Sequence, residues 1–360
     1  MSPISVTETY NIINSFDNNK GGGYDNIPNN VIKYNIEFFS HLLTDLFNVV
    51  FETGIYPDCL KIAKVSPIFK SGDCKVVSNY RPISVLSVFD KILEKLIANR
   101  ITEYLNAFNF FYCHQYGFRQ GSGTDNALIE ITDLIYRAFD NQEYICGLFL
   151  DLHKAFDCID HRLLLNKLYC YGFRGLAYNL LMSYLQNRKQ FVALNGVISS
   201  TLTVNCGVPQ GSVLGPILFL IFINDISYLP LAGQIRMFAD DTALFYNSKE
   251  CSHTMISMER DISILLEYFN LNKISVNLGK TKYIIFHSPF LPHCNFQPLQ
   301  VSNGSIEGVD KLKYLGVLLD KHMTWNEHIH MLSLKISPFI YLIRKLASFV
   351  PKHILKMIYF

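Results

Sequence analysis

Apolar positions along this chain follow two periods, and the segments alternate irregularly. Over residues 28–51 apolar side chains return every three or four places (Ile36, Phe39, Leu42, Leu43, Leu46, Phe47), which predicts helices. Ile62–Phe69 alternates like a strand and runs into a Ser71-Gly72-Asp73 turn. Residues 85–105 return to helical spacing, with Ile92, Leu93, Leu96 and Ile97 on one face. Residues 124–139 read as a further helix with Thr124 as its cap. Residues 144–152 form a continuous apolar strand that ends at Asp151, with Gly147, Phe149 and Asp151 on one face. Asp160 is placed to cap a helix through Leu168. Strand-like runs follow at 190–194 and 202–205, then the Gly207-Val208-Pro209-Gln210-Gly211 loop and an apolar helix over 213–226. Two strands flank Asp240-Asp241. Ile262, Leu265, Leu266 and Phe269 mark an amphipathic helix, and 283–286 and 313–319 read as strands. A last helical pattern starts near Trp325 and is interrupted at Pro338. The mixture, with its antiparallel hairpins, predicts an α+β fold with helices packed on one side of a sheet.

At 360 residues the chain is long enough for two or three subdomains. With 49% hydrophobic and 17% charged residues it reads as a folded, globular protein. No internal repeat is visible. Lys20-Gly21-Gly22-Gly23 reads as a flexible break after a polar leader. The mixed, polar start over residues 1–15 is no signal peptide. The longest apolar run, 213–223, is half of the ~20 residues a bilayer demands, so a buried helix and no membrane association are expected. The nine cysteines include no CxxC pair, which argues against a zinc site or a secreted disulfide framework and for reduced thiols inside the cell. Net charge is only +2, yet residues 61–100 hold eight Lys/Arg against three acids, which reads either as a solvated basic face or as a surface suited to phosphates. The 27 Phe and 21 Tyr serve either core packing or base stacking.

The sharpest chemical signal is Phe238-Ala239-Asp240-Asp241, two adjacent carboxylates within an apolar stretch. Charge in such a place is costly unless neutralised, and like charges side by side add to the cost. A divalent cation remedies both, and carboxylate oxygen is the ligand Mg²⁺ prefers. Taken alone the pair is also compatible with a plain hairpin turn.

Further motifs decide between these readings. Gly147-Leu148-Phe149-Leu150-Asp151-Leu152-His153-Lys154-Ala155-Phe156-Asp157 resembles the first catalytic motif of reverse transcriptases from non-LTR retrotransposons. Gly207-Val208-Pro209-Gln210-Gly211-Ser212-Val213-Leu214-Gly215-Pro216 resembles the second, and Phe238-Ala239-Asp240-Asp241 the third. Flanking motifs stand in the same order: Asn79-Tyr80-Arg81-Pro82-Ile83-Ser84, Gln115-Tyr116-Gly117-Phe118-Arg119, Asn277-Leu278-Gly279-Lys280-Thr281 and Lys313-Tyr314-Leu315-Gly316-Val317. The likeness runs over residues 23–346 and is nearest the jockey-like group.

The resemblance implies a right-hand polymerase fold and an RNA-directed DNA polymerase that takes dNTPs, an RNA template and a DNA primer. It makes Asp151, Asp240 and Asp241 the catalytic triad. With the Leu152 carbonyl they would hold two Mg²⁺ ions, Mn²⁺ being an alternative. Phe156 becomes a steric gate against the 2′-hydroxyl, though it also fits an ordinary core, and the neighbouring Asp157 blurs the distinction. Gln210 and Gly211 would line the nucleotide pocket. Arg81 and Lys70 would grip the triphosphate, and Lys280 would serve the leaving pyrophosphate or a structural ion pair. Arg119 would meet the template backbone, and Tyr314, Leu315 and Gly316 would form the primer grip.

The implied division is a polar leader (1–22), fingers (23–143), palm (144–324, with some fingers-like segments inserted) and the start of a thumb (325–360). Because the chain ends in an apolar segment, it is expected to be part of something longer, and no endonuclease segment is recognised in it. Two other readings are open: a catalytically inactive nucleic-acid-binding remnant, and a two-metal nuclease. Activity is expected inside the cell, in the nucleus, with a cytoplasmic ribonucleoprotein as the alternative.

Overall fold

The computed structural model describes residues 1–18, 21–292, 294, 297–301 and 304–359. Lys20, at the start of the glycine run, and Phe360 lie outside the described residues. A six-stranded sheet forms the centre. Its order in space is Leu299–Val301, Gly304–Gly308, Lys282–Phe286, Tyr144–Leu150, Asp241–Ser248 and Gln234–Phe238. Tyr144–Leu150 is antiparallel to both of its neighbours.

Every residue of Tyr144–Leu150 is buried. A strand apolar on both faces needs cover on both. Cys146, Leu148 and Leu150 pack into a core that contains Met258, Ile262 and Leu265 of the helix Cys251–Leu271. Ile145 and Phe149 point the other way, into a second core with Ile131 and Ile135 of the helix Thr124–Asp140. The expectation of helices on one side is therefore corrected: helices cover both faces.

A second sheet is built around Ile62–Phe69. Tyr80–Val85 pairs with it antiparallel, and Lys189–Leu194 pairs with it parallel on the other edge. Short strands Val197–Ile198 and Leu202–Thr203 extend from Lys189–Leu194. The segment after residue 188 thus returns to a sheet begun more than a hundred residues earlier.

Five local expectations differ from the structure. Residues 313–319, read as one strand, are a hairpin of Lys311–Tyr314 and Val317–Asp320 turned at Leu315-Gly316. The leader, read as polar, carries an apolar contact: Val6–Asn14 is a helix capped by Ser5, with Ile12 and Ile13 buried. Thr9 and Thr44 share a 2.7 Å hydroxyl contact that ties it to the helix Ile36–Thr53. In the glycine run, Gly22 and Gly23 are close-packed, since a Cβ on Gly23 would lie 2.5 Å from the Ser87 nitrogen, while Gly21 has open space around it. The cap of Thr124–Asp140 is Gly123, whose N–H donates to Asn126 Oδ1 at 2.9 Å, while Thr124 is the first helical residue. Pro338 does not interrupt the last helix, which runs Asn326–Leu346 through it. A proline costs a helix one backbone donor and a local clash, and a helix with turns on both sides absorbs that.

The helix Leu214–Ile223 has its core face closed from below by Val88–Ala107. All nine cysteines are free thiols. Among the described residues no helix is long and apolar enough to cross a membrane.

Candidate active site

The register of the central sheet brings the acids together. Leu150 pairs with Thr242, so one step further the antiparallel register places Asp151 level with Asp241. Asp240 sits in the two-residue turn that joins Gln234–Phe238 to Asp241–Ser248, where Phe238 pairs with Asp241. Ala239, the other turn residue, has φ +57°, a conformation that L residues other than Gly, Asn and Asp seldom adopt.

Asp151 is held through its backbone. Its carbonyl accepts from Asn277 N–H at 2.8 Å, and its N–H donates to Thr281 Oγ1 at 3.3 Å. The Asn277-Leu278-Gly279-Lys280-Thr281 motif therefore anchors the strand end that carries Asp151. The same turn places Lys280 on the cleft.

That cleft, of about 600 Å³, is lined by Lys70, Arg81, Asp151, Leu152, Phe156, Gln210, Gly211, Asp240 and Lys280, among others. Nine residues singled out from sequence thus share one space, although they span positions 70 to 280. Asp241 does not line it and sits at the hairpin edge. Tyr314, Leu315 and Gly316 lie at a separate hairpin made by Lys311–Tyr314 and Val317–Asp320. Arg119 is turned back on its own loop: its Nη1 donates to the carbonyls of Tyr112 at 3.1 Å and Gln115 at 3.5 Å.

Carboxylates and cations face the same cleft. Burial raises the Asp240 carboxyl above the usual range, Asp151 adds repulsion, and Arg81 and Lys70 oppose both. The Asp241 carboxyl is pushed up to about 6, first by loss of water around it and then by Asp240 and Asp151, although part of the side chain still meets solvent. Among the described residues no ion pair reaches any of the three. Nor do three such ligands already form a closed metal cage among those residues. Two unpaired carboxylates opening into one cleft, with a third beside them, fit a divalent cation, which prefers carboxylate oxygen and would relieve their repulsion.

Phe156 is clamped. Its ring stacks on Phe219 at 4.6 Å and 26°, and Phe118 meets it edge-on at 6.0 Å. Gln210 donates its side-chain amide to Asp157 Oδ1 at 2.8 Å, while its backbone carbonyl accepts from Ser84 N–H at 2.7 Å. Gly211 has φ +111°, and a Cβ there would lie 2.8 Å from the Ser84 carbonyl, so only glycine lets the loop lie against Tyr80–Val85.

Two supporting residues had no role assigned from the sequence. Glu94, fully buried, accepts from Val213 N–H at 2.5 Å through Oε2 and so caps the helix that follows the Gln210 loop. Its signal was an acid repeated at i, i+4 (Asp90, Glu94) within an apolar helix. Gln115, 2% exposed, accepts from Gly117 and Ala239 N–H at 2.8 and 3.0 Å.

Comparison with known proteins bears on the family and the fold. The family described as "Reverse transcriptase (RNA-dependent DNA polymerase)" matches residues 68–319. The probable RNA-directed DNA polymerase from transposon BS of Drosophila melanogaster is 32% identical over 337 residues, 91% of this chain and 37% of that protein. The RNA-directed DNA polymerase from mobile element jockey of the same species is 30% identical over 338 residues, 91% and 36% respectively. The chain thus spans little more than a third of the length of these relatives. Among solved structures, apo telomerase from Candida tropicalis, truncated from its C-terminal domain, superposes with a TM-score of 0.50 over 80% of this chain and 59% of that one. At 13% identity this likeness speaks for the fold alone, a right-hand polymerase fold. The chain therefore belongs to the reverse transcriptase family, and its relatives are the enzymes of jockey-like, non-LTR retrotransposons.

Proposed function

We propose that this chain is the RNA-directed DNA polymerase of a retrotransposon, extending a DNA primer 3′-hydroxyl with dNTPs on an RNA template. The carrying observation is the single cleft shared by Asp151 and Asp240, by the cations Lys70, Arg81 and Lys280, and by Phe156 and Gln210. Carboxylates and cations lining one cleft suit a triphosphate bridged to divalent metal.

In this reading Asp151, Asp240, Asp241 and the Leu152 carbonyl hold two Mg²⁺ ions, with Mn²⁺ as a substitute. When bound, the ions supply charge stabilisation to the phosphoryl group and activate the attacking hydroxyl. Arg81 and Lys70 draw the triphosphate into the cleft. Lys280 carries a proton to the departing pyrophosphate. Phe156, held flat on Phe219, leaves no room beside the sugar for a 2′-hydroxyl. Gly211 allows the nucleotide close to the backbone, and Gln210 presents its side-chain oxygen beside it. The basic segment 61–100 and the sheet around Ile62–Phe69 act as fingers. The central sheet acts as palm, the hairpin at Leu315 as primer grip, and the helix Asn326–Leu346 as the beginning of a thumb. Synthesis at a chromosomal target would place the activity in the nucleus.

Primer extension on an RNA template, with Asp240→Asn beside the parent chain, tests this. Mg²⁺-dependent extension by the parent, lost in the variant, is expected. Binding of primer–template without extension by either would leave a nucleic-acid-binding remnant, and cleavage without dNTPs would indicate a nuclease.

A further inference from the structure

The turn that carries Asp240 is strained, and something must hold it. A two-residue hairpin with φ > 0 at its first central position ordinarily places glycine there, and here that position is Ala239 at +57°. The support comes from the loop His114 to Gly117, which runs beside Gln234–Phe238. Met237 N–H donates to the His114 carbonyl at 3.0 Å, and Tyr116 N–H donates to the Met237 carbonyl at 2.9 Å. The side chain of Gln115 reaches past them: its Oε1 accepts from Ala239 N–H at 3.0 Å and from Gly117 N–H at 2.8 Å. Both partners are donors, so the orientation of the amide is settled. Gly117 lies so close that a Cβ on it would be 2.2 Å from the Ala239 nitrogen.

We propose that Gln115 is a positioning residue for the metal-holding hairpin, clamping the left-handed Ala239 so that Asp240 and Asp241 project at fixed angles. The loop behind it is itself secured. Arg119 Nη1 donates to the Gln115 and Tyr112 carbonyls, and His114 meets Glu130 at 2.8 Å, which Arg236 of the hairpin strand also grips at 2.7 Å. One orphan marks the cost. Gln115 Nε2 is buried without a hydrogen-bond partner, so a side chain retained there serves through its oxygen. A leucine of similar volume would keep the packing and lose only the acceptor. The inference rests on Asp240 and Asp241 being metal ligands, as proposed above.

The test uses the full 360-residue chain, as parent, Gln115→Leu, Ala239→Gly and the double variant. Metal-free hydrogen exchange across residues 235–245, Mn²⁺ affinity by titration, melting temperature and primer extension are read for each. Gln115→Leu is expected to speed hairpin exchange and weaken Mn²⁺ binding by about 10-fold, the scale on which a strained residue is held. Adding Ala239→Gly is expected to return most of the Mn²⁺ affinity, because glycine takes positive φ without help. General destabilisation would lower the melting temperature with no such rescue. Unchanged hairpin exchange in Gln115→Leu, or lost Mn²⁺ affinity that Ala239→Gly leaves untouched, overturns the inference. A parent chain that binds Mn²⁺ but never extends a primer overturns the polymerase reading while leaving the clamp intact. If the parent binds no Mn²⁺, the metal reading fails and hairpin exchange alone decides the clamp.

Discussion

The side-chain amide of Gln210 donates to the carboxylate of Asp157 at 2.8 Å, across 53 positions of sequence. The contact occupies the one acid beside Phe156 that could have accepted a sugar hydroxyl. The side-chain oxygen Oε1 and the second amide hydrogen of Gln210 remain able to meet a nucleotide. Asp157→Ala removes the charged acceptor and frees the amide to turn. A hydrogen bond to a charged group is worth about 1.5–3 kcal/mol, so KM for dNTP is expected to rise on the order of 10-fold. Discrimination between dNTP and rNTP is expected to stay unchanged. A collapse of that discrimination in steady-state assays would instead make Asp157 the sugar-reading group.

Sugar selection is expected to depend on a residue that never touches the sugar. Phe219 is fully buried, and Phe156 lies flat against it. Phe219→Leu conserves most of the volume, so its stability cost stays near 1 kcal/mol, but it removes the flat surface. The Phe156 ring gains freedom to tilt, and ribonucleotide incorporation should rise several-fold with dNTP turnover nearly preserved. Phe156→Val should raise it further. Equal selectivity in the parent and both variants would reject the gate.

Local elements were legible because their signals are local. Ile62–Phe69 alternates as a strand and is one, and Asp160 accepts from Leu163 N–H at 3.0 Å as the helix cap it resembled. The convergence of Lys70, Asp151, Gln210 and Lys280 on one cleft was implied by motif order, not by any local pattern. Supports that exist only in three dimensions were not legible. Nothing in the pattern pairs Ile62 with Lys189, or joins Gln115 to Ala239. The polarity of residues 1–15 hid a helix whose narrow apolar stripe, Ile12 and Ile13, docks on Ile36–Thr53. The one-sided sheet failed because a continuous apolar strand does not say which helices will cover its faces.

A buried ionic network beneath the Gln210 loop should make stability depend on pH. Asp90, Glu94 and Arg188 are almost wholly buried. The Tyr56 hydroxyl donates to Asp90, the Tyr184 hydroxyl donates to Glu94 Oε1 at 2.6 Å, and Arg188 Nη2 stands 3.8 Å from Asp90 Oδ2. Burial raises both carboxyls, Asp90 well above its ordinary range, with Glu94 adding repulsion and Arg188 and Lys91 opposing. A raised folded-state pKa means the stabilising contribution is full below the unfolded value, near 4, and is lost as pH rises through the folded one. Arg188→Met removes the compensating cation from two carboxylates. At neutral pH the loss is expected to be roughly 3–5 kcal/mol, shrinking toward acid as the carboxyls take up protons. Urea unfolding at pH 5 and pH 8 measures this, and a loss equal at both values would contradict an ionic role.

The hairpin at Leu315 allows function to be separated from stability. Tyr314 pairs with Val317, leaving Leu315 and Gly316 as a two-residue turn with φ +45° and +90°. Positive φ at both positions is the turn in which Asn-Gly is preferred. Leucine there carries strain of about 1–2 kcal/mol. Its side chain is half-buried against the core that contains Tyr314 and Phe149, and that packing offsets part of the strain. Leu315→Asn relieves the strain and gives up the packing, so the net change in stability should be under about 1 kcal/mol in either direction. If the leucine also bears on the primer end, the same substitution should weaken primer–template binding several-fold in extension assays, with the melting temperature almost unmoved. Extension at the parent's rate and affinity would reduce the turn to a connector between two strands.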